Sequence, residues 1–117
     1  MKLLRWGQSA YETDASLDME ARLLGEHGVR VHRHTGPQPP MQDVRFLAVT
    51  SKVRVDEALL RAAPELQLVV TTTSGYDHID VPACERAGVV VSRSPLARRD
   101  AVVDTALAMG LSLLRQV

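Results

Sequence analysis

The sequence has one cysteine, few aromatic residues and no net charge, and each shortage narrows the class of protein. Cys84 is the only cysteine among 117 residues, so no internal disulfide is expected, and a reducing compartment, the cytoplasm, is the expected location. The 14 Lys and Arg residues are balanced by 14 Asp and Glu residues. Because no net field remains, we expect no recruitment by nucleic acid or by an anionic membrane.

Long apolar runs and closely spaced glycines are also missing. The apolar runs stay far below the ~18 residues of a membrane-spanning helix, and the run at residues 1–6 is too short for a signal peptide, so neither membrane insertion nor secretion is expected. The seven glycines include no G-x-G. That spacing is needed for the dinucleotide-binding fingerprint, so we expect no cofactor-binding residue in this chain.

Short apolar strands alternate with helical segments along the rest of the chain. This order predicts an α/β fold with a doubly wound parallel sheet, flavodoxin-like, of five strands in the order 2-1-3-4-5. The length allows a single core. The predicted strands are residues 2–6, 29–33, 45–49, 66–70 and 89–91, and the predicted helices start near Asp14 or Ser16, at Asp56, at Val81 and at Asp100.

Local patterns refine the prediction for individual elements. Residues 29–33 alternate apolar and polar side chains and suit an edge strand, whereas residues 89–91 lack alternation and suit a strand covered on both faces. Asp14 or Ser16 can cap the first helix, and Gly28 is placed to end it. The last helix, residues 100–115, is apolar around most of its circumference, which predicts burial on several sides. One small domain offers only one covering face.

The strand at residues 66–70 leads directly into small and hydroxylated residues, Thr71 to Gly75. Open α/β sheets bind ligands at the carboxyl ends of their strands. Gly75 lets a backbone approach a ligand closely, and neighbouring N–H groups of such a turn can form a concavity for an anion. The same turn could also be a plain connection to the next helix, for which Asp80 is a cap and Pro82 lies in the first turn.

Residues 73–80, T-S-G-Y-D-H-I-D, carry a resemblance that continues through residues 83–91, Ser94-Pro95 and residues 101–108. This stretch resembles the N-terminal part of the D-2-hydroxyacid dehydrogenases, whose pattern runs roughly S-x-G-x-D-x-I-D, then A-x-x-R-G-I-x-V-x-N-x-P, then A-V-A-E before an apolar helix. The match is dense from about Leu66 to Arg115 and thin before it.

The resemblance implies an oxidoreductase that moves a hydride between NAD or NADP and a small 2-oxo or 2-hydroxy acid. It implies that the backbone N–H groups of Ser74 and Gly75 hold the substrate carboxylate, with Tyr76 beside them. Residues 50–52 match a second substrate-facing loop in which the family often has Arg-Ser. Here Thr50 occupies the arginine position, and Ser51 and Lys52 are the candidate substrate-binding residues.

The resemblance also implies a division of the chain. Residues 1–99 correspond to the substrate-side domain, and residues 100–117 to the helix that leads into a cofactor domain, which would make this chain truncated. The family's catalytic Arg, Glu and His have no counterpart here, so we expect no catalytic residue, no binding of NAD or NADP and no activity in this chain alone. Helix 100–115 is expected to form a homo-oligomer, such as a dimer, or to meet a separate cofactor-domain polypeptide.

Two other classes of protein remain alternatives. One is a stand-alone, non-catalytic flavodoxin-like module that binds a small carboxylate or a protein partner. The other is a phosphoacceptor receiver domain, which is disfavoured because the first strand ends in Trp6-Gly7-Gln8 and supplies no acidic pair for Mg²⁺.

The remaining reactive side chains have ordinary structural interpretations. No cysteine or carboxylate pair near His32 and His34 completes a metal-ligand set, so no metal site is expected. Further interpretations are Asp77 and Asp80 as turn and cap residues, His78 as a solvated loop histidine, Arg98 and Arg99 as residues in solvent or against a missing segment, and Cys84 as a small core residue.

Overall fold

Nine regular elements make up the computed structural model, which describes residues 1–116. All strands are parallel and lie in one sheet with the order β2-β1-β3-β4-β5, so the predicted flavodoxin-like order is confirmed. Along the chain the elements are β1 (Lys2–Trp6), α1 (Asp14–Glu26), β2 (Arg30–His34), β3 (Phe46–Val49), α2 (Glu57–Ala62), β4 (Leu68–Thr71), α3 (Val81–Arg86), β5 (Val90–Ser92) and α4 (Arg99–Arg115).

The main core lies on one face of the central strands. Leu4, Leu47 and Val69 stand opposite one another in the sheet register and are almost fully buried. Side chains of α2, α3 and the connecting segments cover them, including Leu59, Cys84 and Ile79. The other face of the sheet carries Arg5 and Ala48, also buried.

Arg5 is a charged residue inside the fold, with only 2% of it exposed. Its guanidinium donates hydrogen bonds to Glu12, to Glu20 of α1 and to the backbone oxygen of Gly7. Burial alone would lower the pKa of Arg5, but hydrogen bonds and charge interactions with Glu12 and Glu20 outweigh it, so the pKa is raised. A buried charge is tolerated only when it is paired and hydrogen-bonded. This network fastens the loop that joins β1 to α1.

The ends of α1 show one wrong and one correct prediction. The N-cap is Thr13, not Asp14 or Ser16: its hydroxyl accepts from the Ser16 N–H at 3.2 Å, and its own N–H donates to the Ser16 hydroxyl at 3.0 Å. Ser16 therefore closes a reciprocal capping box instead of starting the helix. At the other end Gly28 has φ +77°, a left-handed conformation that glycine adopts without steric cost, and ends α1 as predicted.

Strand β5 is an edge strand, so the prediction that it is covered on both faces is wrong. Val90 is 63% exposed and Val91 is half-buried. No strand follows β5 in the sheet order, and α4 does not cover it. The valines at residues 89–91 reflect the preference of β-branched side chains for strands, and not burial of the strand on both faces.

Helix α4 projects away from the sheet. Within residues 1–116 it contacts none of the other helices or strands, and Leu113 and Leu114 are each 80% exposed. The radius of gyration is 16.9 Å, against about 13 Å for a compact chain of this length. The predicted burial of α4 on several sides is therefore not met in this structure. None of the described helices is long and apolar enough to cross a membrane.

Arg98, just before α4, is exposed, as expected, and it also makes a contact that the sequence did not predict. Its guanidinium lies 3.6 Å from the centre of the Tyr11 ring. Such stacking of an arginine on an aromatic face is a favourable cation–π contact. It joins the start of α4 to the loop between β1 and α1.

Candidate functional site

Ser74, Gly75 and Tyr76 lie in an exposed loop at the carboxyl end of β4. Among the hydrogen bonds of residues 1–116, none uses the backbone N–H of these three residues. A methyl group built on Gly75 would meet only the Asp77 Oδ1, at 3.7 Å, and the Gly75 backbone is not left-handed. The space beside the Gly75 Cα is therefore open. Free N–H groups on an open surface suit an anionic ligand.

A cluster of hydrogen-bonded side chains at the end of β4 supports this loop. The Thr71 hydroxyl lies 2.7 Å from the Thr73 hydroxyl and 2.9 Å from His78 Nε2. The Thr73 hydroxyl in turn donates to the Gly75 backbone oxygen at 2.8 Å. Only 8% of the His78 side chain is exposed, so the interpretation of His78 as a solvated loop histidine is wrong. It is buried because the loop folds back over the end of β4.

The loops after β3, β4 and β5 are joined into one rim. The Thr72 N–H donates to the Val49 oxygen at 3.0 Å, and the Val55 N–H donates to the His78 oxygen at 2.9 Å. On the other side the Ser94 N–H donates to the Thr73 oxygen at 3.1 Å. These bonds fix the position of the loop relative to both neighbouring strands.

Asp80 ends the loop by capping α3, as the sequence predicts. Its Oδ1 accepts from the Ala83 N–H at 3.0 Å, and Pro82 lies in the first turn. Asp77, by contrast, is fully exposed. Neither carboxylate is placed as an acid–base pair, because Asp80 is committed to the helix end.

Arg93 is a site residue that has no role in the sequence predictions. It follows β5, and its Nη1 donates to the Ser74 backbone oxygen at 3.0 Å. Its guanidinium carbon lies 5.1 Å from the centre of the Tyr76 ring, within cation–π range. The sequence signal that could have identified Arg93 is its position, because the carboxyl ends of β4 and β5 must lie side by side in a parallel sheet. In the family pattern given above, Arg93 stands where the pattern has asparagine.

The loop after β3 places Ser51 and Lys52 on the surface, in a turn that the Val53 N–H closes onto the Thr50 oxygen at 3.2 Å. Thr50 itself is completely buried, and its hydroxyl has no partner within the described residues. Lys52 borders a cleft of about 460 Å³, whose lining also includes Trp6, Gly7, Gln8, Thr35, Gly36, Val53 and Arg54. A larger cleft, about 610 Å³, lies at the opposite, amino-terminal end of the strands, away from both loops.

The remaining reactive side chains take structural roles. His34 Nε2 lies 2.7 Å from the Pro37 oxygen, and its ring meets Trp6 edge to face. Cys84 is completely buried, and burial, with a smaller contribution from Asp80, raises the pKa of its thiol. A buried neutral thiol is a poor nucleophile. Residues 1–116 contain no group of three His, Cys, Asp or Glu side chains arranged to hold a metal ion.

Comparison with known proteins identifies the class. The profile of the D-isomer specific 2-hydroxyacid dehydrogenase catalytic domain matches residues 13–109. This chain belongs to that family.

Individual relatives agree with the assignment. The chain is 37% identical over 105 residues to glyoxylate/hydroxypyruvate reductase B of Enterobacter sp. (strain 638), covering 86% of this chain and 32% of the relative. It is 37% identical over 73 residues to glyoxylate/hydroxypyruvate reductase HPR3 of Arabidopsis thaliana, covering 62% and 23%. D-lactate dehydrogenase from Aquifex aeolicus, solved with NAD and lactic acid, has the same fold over 95% of this chain and 33% of its own, with TM-score 0.76 and 23% identity. The chain thus spans about a quarter to a third of these relatives.

Proposed function

We propose that this chain is the substrate-side domain of an NAD- or NADP-dependent D-2-hydroxyacid dehydrogenase. Its task is to hold the carboxylate of a small 2-oxo or 2-hydroxy acid on the N–H groups of Ser74 and Gly75. Tyr76 lies beside that position, and Ser51 and Lys52 lie on the adjoining loop. The observation that supports this assignment is the open, rigidly anchored loop with unused N–H groups at the carboxyl end of a central strand.

The described residues do not fit a dinucleotide. The loop after β1 lacks the glycine spacing, and Thr13 and Ser16 use the N-terminal groups of α1 for their own capping box. A Cβ at Gly7 would lie 2.7 Å from the Thr50 hydroxyl, so Thr50 packs closely against the start of the first loop. In the reaction proposed for the family, NADH or NADPH would supply the hydride that reduces the 2-oxo acid, and the oxidised cofactor would accept it in the reverse direction. We therefore assign binding and orientation of the acid to this chain, and hydride transfer to residues outside the chain described here.

Helix α4 is the proposed connection to that second part. We assign residues 1–99 to the substrate-side domain and residues 100–117, the last of which lies outside the described residues, to a segment whose helix packs on a cofactor domain, on a second copy of this chain, or on both. The exposed apolar side chains support this assignment: Val102, Val103, Leu107, Met109, Leu111, Leu113 and Leu114. Exposure of so many apolar side chains to water is unfavourable, and a partner surface that buries them would stabilise the helix.

We place the protein in the cytoplasm. The single cysteine, Cys84, is free and buried, which suits a reducing compartment. Fractionation of the natural host with an antibody against this chain checks the assignment.

Binding is tested by NMR titration of the chain with pyruvate and, as the uncharged control, pyruvamide. Two backbone donors on an exposed loop are expected to hold a carboxylate with a dissociation constant in the millimolar range, about −4 kcal/mol. The amide signals of Ser74 and Gly75 should move most with pyruvate and little with pyruvamide. Shifts confined to residues 50–52, or to Arg98 and Arg99, would contradict the assignment.

A further inference from the structure

Two charged side chains beside the loop after β4, Asp77 and Arg93, have opposite effects on a bound anion. Asp77 lies two residues from Gly75, and its Oδ1 comes within 3.7 Å of the position of a Gly75 side chain. The Asp77 carboxylate therefore opposes an anion at the Ser74 and Gly75 N–H groups. Exposure of Asp77 to solvent weakens this effect without removing it.

Arg93 supplies the opposite charge from the other side of the loop. Strand β5 pairs with β4, so the residue that follows Ser92 comes level with the loop. The guanidinium is fixed at two points: Nη1 donates to the Ser74 oxygen at 3.0 Å, and the guanidinium stacks on Tyr76 at 5.1 Å. A long, exposed arginine normally samples many orientations, whereas this one has a defined place.

We propose that Arg93 is the positioning residue that makes this loop selective for a carboxylate. It holds the Ser74 peptide so that the neighbouring N–H groups face outward, and its positive charge offsets Asp77 where the carboxylate binds. This inference rests on the proposed function and adds a residue that comes from β5, outside the loop itself.

The guanidinium has capacity left for this role. Of its five N–H donors, one is used on the Ser74 oxygen among the described hydrogen bonds. The bond to the Ser74 oxygen directs the Gly75 N–H of the same trans peptide to the side opposite Arg93, so the guanidinium acts on a bound anion through its charge. A neutral side chain at position 93 would leave the charge of Asp77 uncompensated.

Arg93→Gln removes the positive charge and shortens the side chain by two bonds, so it tests the loss of the whole guanidinium. Arg93→Lys keeps the charge and loses the planar stack on Tyr76. Asp77→Asn removes the opposing charge. Arg30→Gln is the matched control: Arg30 is also exposed and begins β2, the strand at the far edge of the sheet from β5.

The measurement is the affinity for pyruvate and pyruvamide of the 117-residue chain, read from the Ser74 and Gly75 amide signals. Arg93→Gln should weaken pyruvate binding roughly threefold to fivefold, as expected for a partly exposed charge pair. Asp77→Asn should tighten pyruvate binding about twofold. Arg93→Lys should bind more tightly than Arg93→Gln, Arg30→Gln should match the wild type, and pyruvamide binding should change little in any variant.

Several results would overturn the inference while the proposed function stands. These are equal pyruvate affinity of Arg93→Gln and wild type, equal loss of pyruvate and pyruvamide in Arg93→Gln, and no advantage of lysine over glutamine. If pyruvate moves neither Ser74 nor Gly75 in the wild type, the proposed function itself fails, and this inference fails with it. Dispersed spectra of each variant establish that the sheet is folded.

Discussion

The exposed face of α4 gives a prediction whose size follows from the structure. Leu107, Leu111 and Leu114 are spaced four and three residues apart and so share one face of the helix. They are 60%, 61% and 80% exposed. That exposure equals about two whole leucine side chains, which corresponds to about 3–6 kcal/mol of unrealised burial per chain. Because about 1.4 kcal/mol is a factor of ten in an equilibrium constant, this driving force favours association.

Replacing these three leucines by glutamine should remove most of that driving force and leave the sheet intact, since α4 contacts none of the other elements in residues 1–116. The wild type should form dimers or larger species at micromolar concentration, and the triple variant should be a more soluble monomer. Light scattering after size exclusion measures the mass, and thermal melting checks the core. The control carries Thr105→Gln and Ser112→Gln, which lie seven residues apart on a side of α4 away from the three leucines, and should associate like the wild type.

A wild type that is a monodisperse monomer, with α4 amides protected from hydrogen exchange, would contradict this prediction. Protection in a monomer would mean that the helix folds back and finds cover within its own chain. The prediction also fails if the triple variant associates as strongly as the wild type.

Three further predictions concern the core, the first loop and the cofactor. Glu12→Gln leaves the buried Arg5 without its closest charge and should lower the free energy of unfolding by about 3 kcal/mol in urea titration, and a loss below about 1 kcal/mol would contradict a structural role. Gly7→Ala should lower the free energy of unfolding by about 1–3 kcal/mol, because Gly7 has φ +93° and an added Cβ would lie 2.7 Å from the Thr50 hydroxyl oxygen. Gly25→Ala in α1, where an added Cβ meets only open space, should instead raise the free energy of unfolding by up to about 1 kcal/mol. In fluorescence titration the chain should show no saturable NADH binding below about 100 μM, roughly −5.5 kcal/mol, and tighter binding would refute the assignment of the cofactor to other residues.

The sheet order and the helix ends were predictable because they depend on local signals. Alternating strands and helices restrict the topology to a few doubly wound orders. Gly28 and Asp80 occupy positions where helices commonly end and begin. The same local signals misplaced the cap of α1 by one or three residues, since Thr13, Asp14 and Ser16 all have capping side chains and only the backbone conformation selects Thr13.

The residues that sequence reasoning missed depend on contacts between distant segments. Arg5 resembles a surface residue in a strand until Glu20, 15 residues later in the chain, reaches it. His78 Nε2 lies within hydrogen-bond distance of the Thr71 hydroxyl, seven residues earlier in the chain. Arg93 reaches Ser74 across 19 residues because β5 pairs with β4. The periodicity of a sequence does not record contacts between such residues. The sequence pattern therefore located the candidate loop but not the side chains that hold it in place.

The central claim is that the Ser74 and Gly75 N–H groups hold a substrate carboxylate. The most direct measurement is a crystal structure of the chain soaked with oxamate, a carboxylate that cannot be reduced, and repeated with Arg93→Gln. The account predicts a carboxylate oxygen about 2.7–3.2 Å from the Ser74 or Gly75 nitrogen, with lower occupancy in the variant. An oxamate bound instead in the cleft beside Lys52, or at the amino-terminal end of the strands, with an empty loop at Ser74 and Gly75, would contradict it.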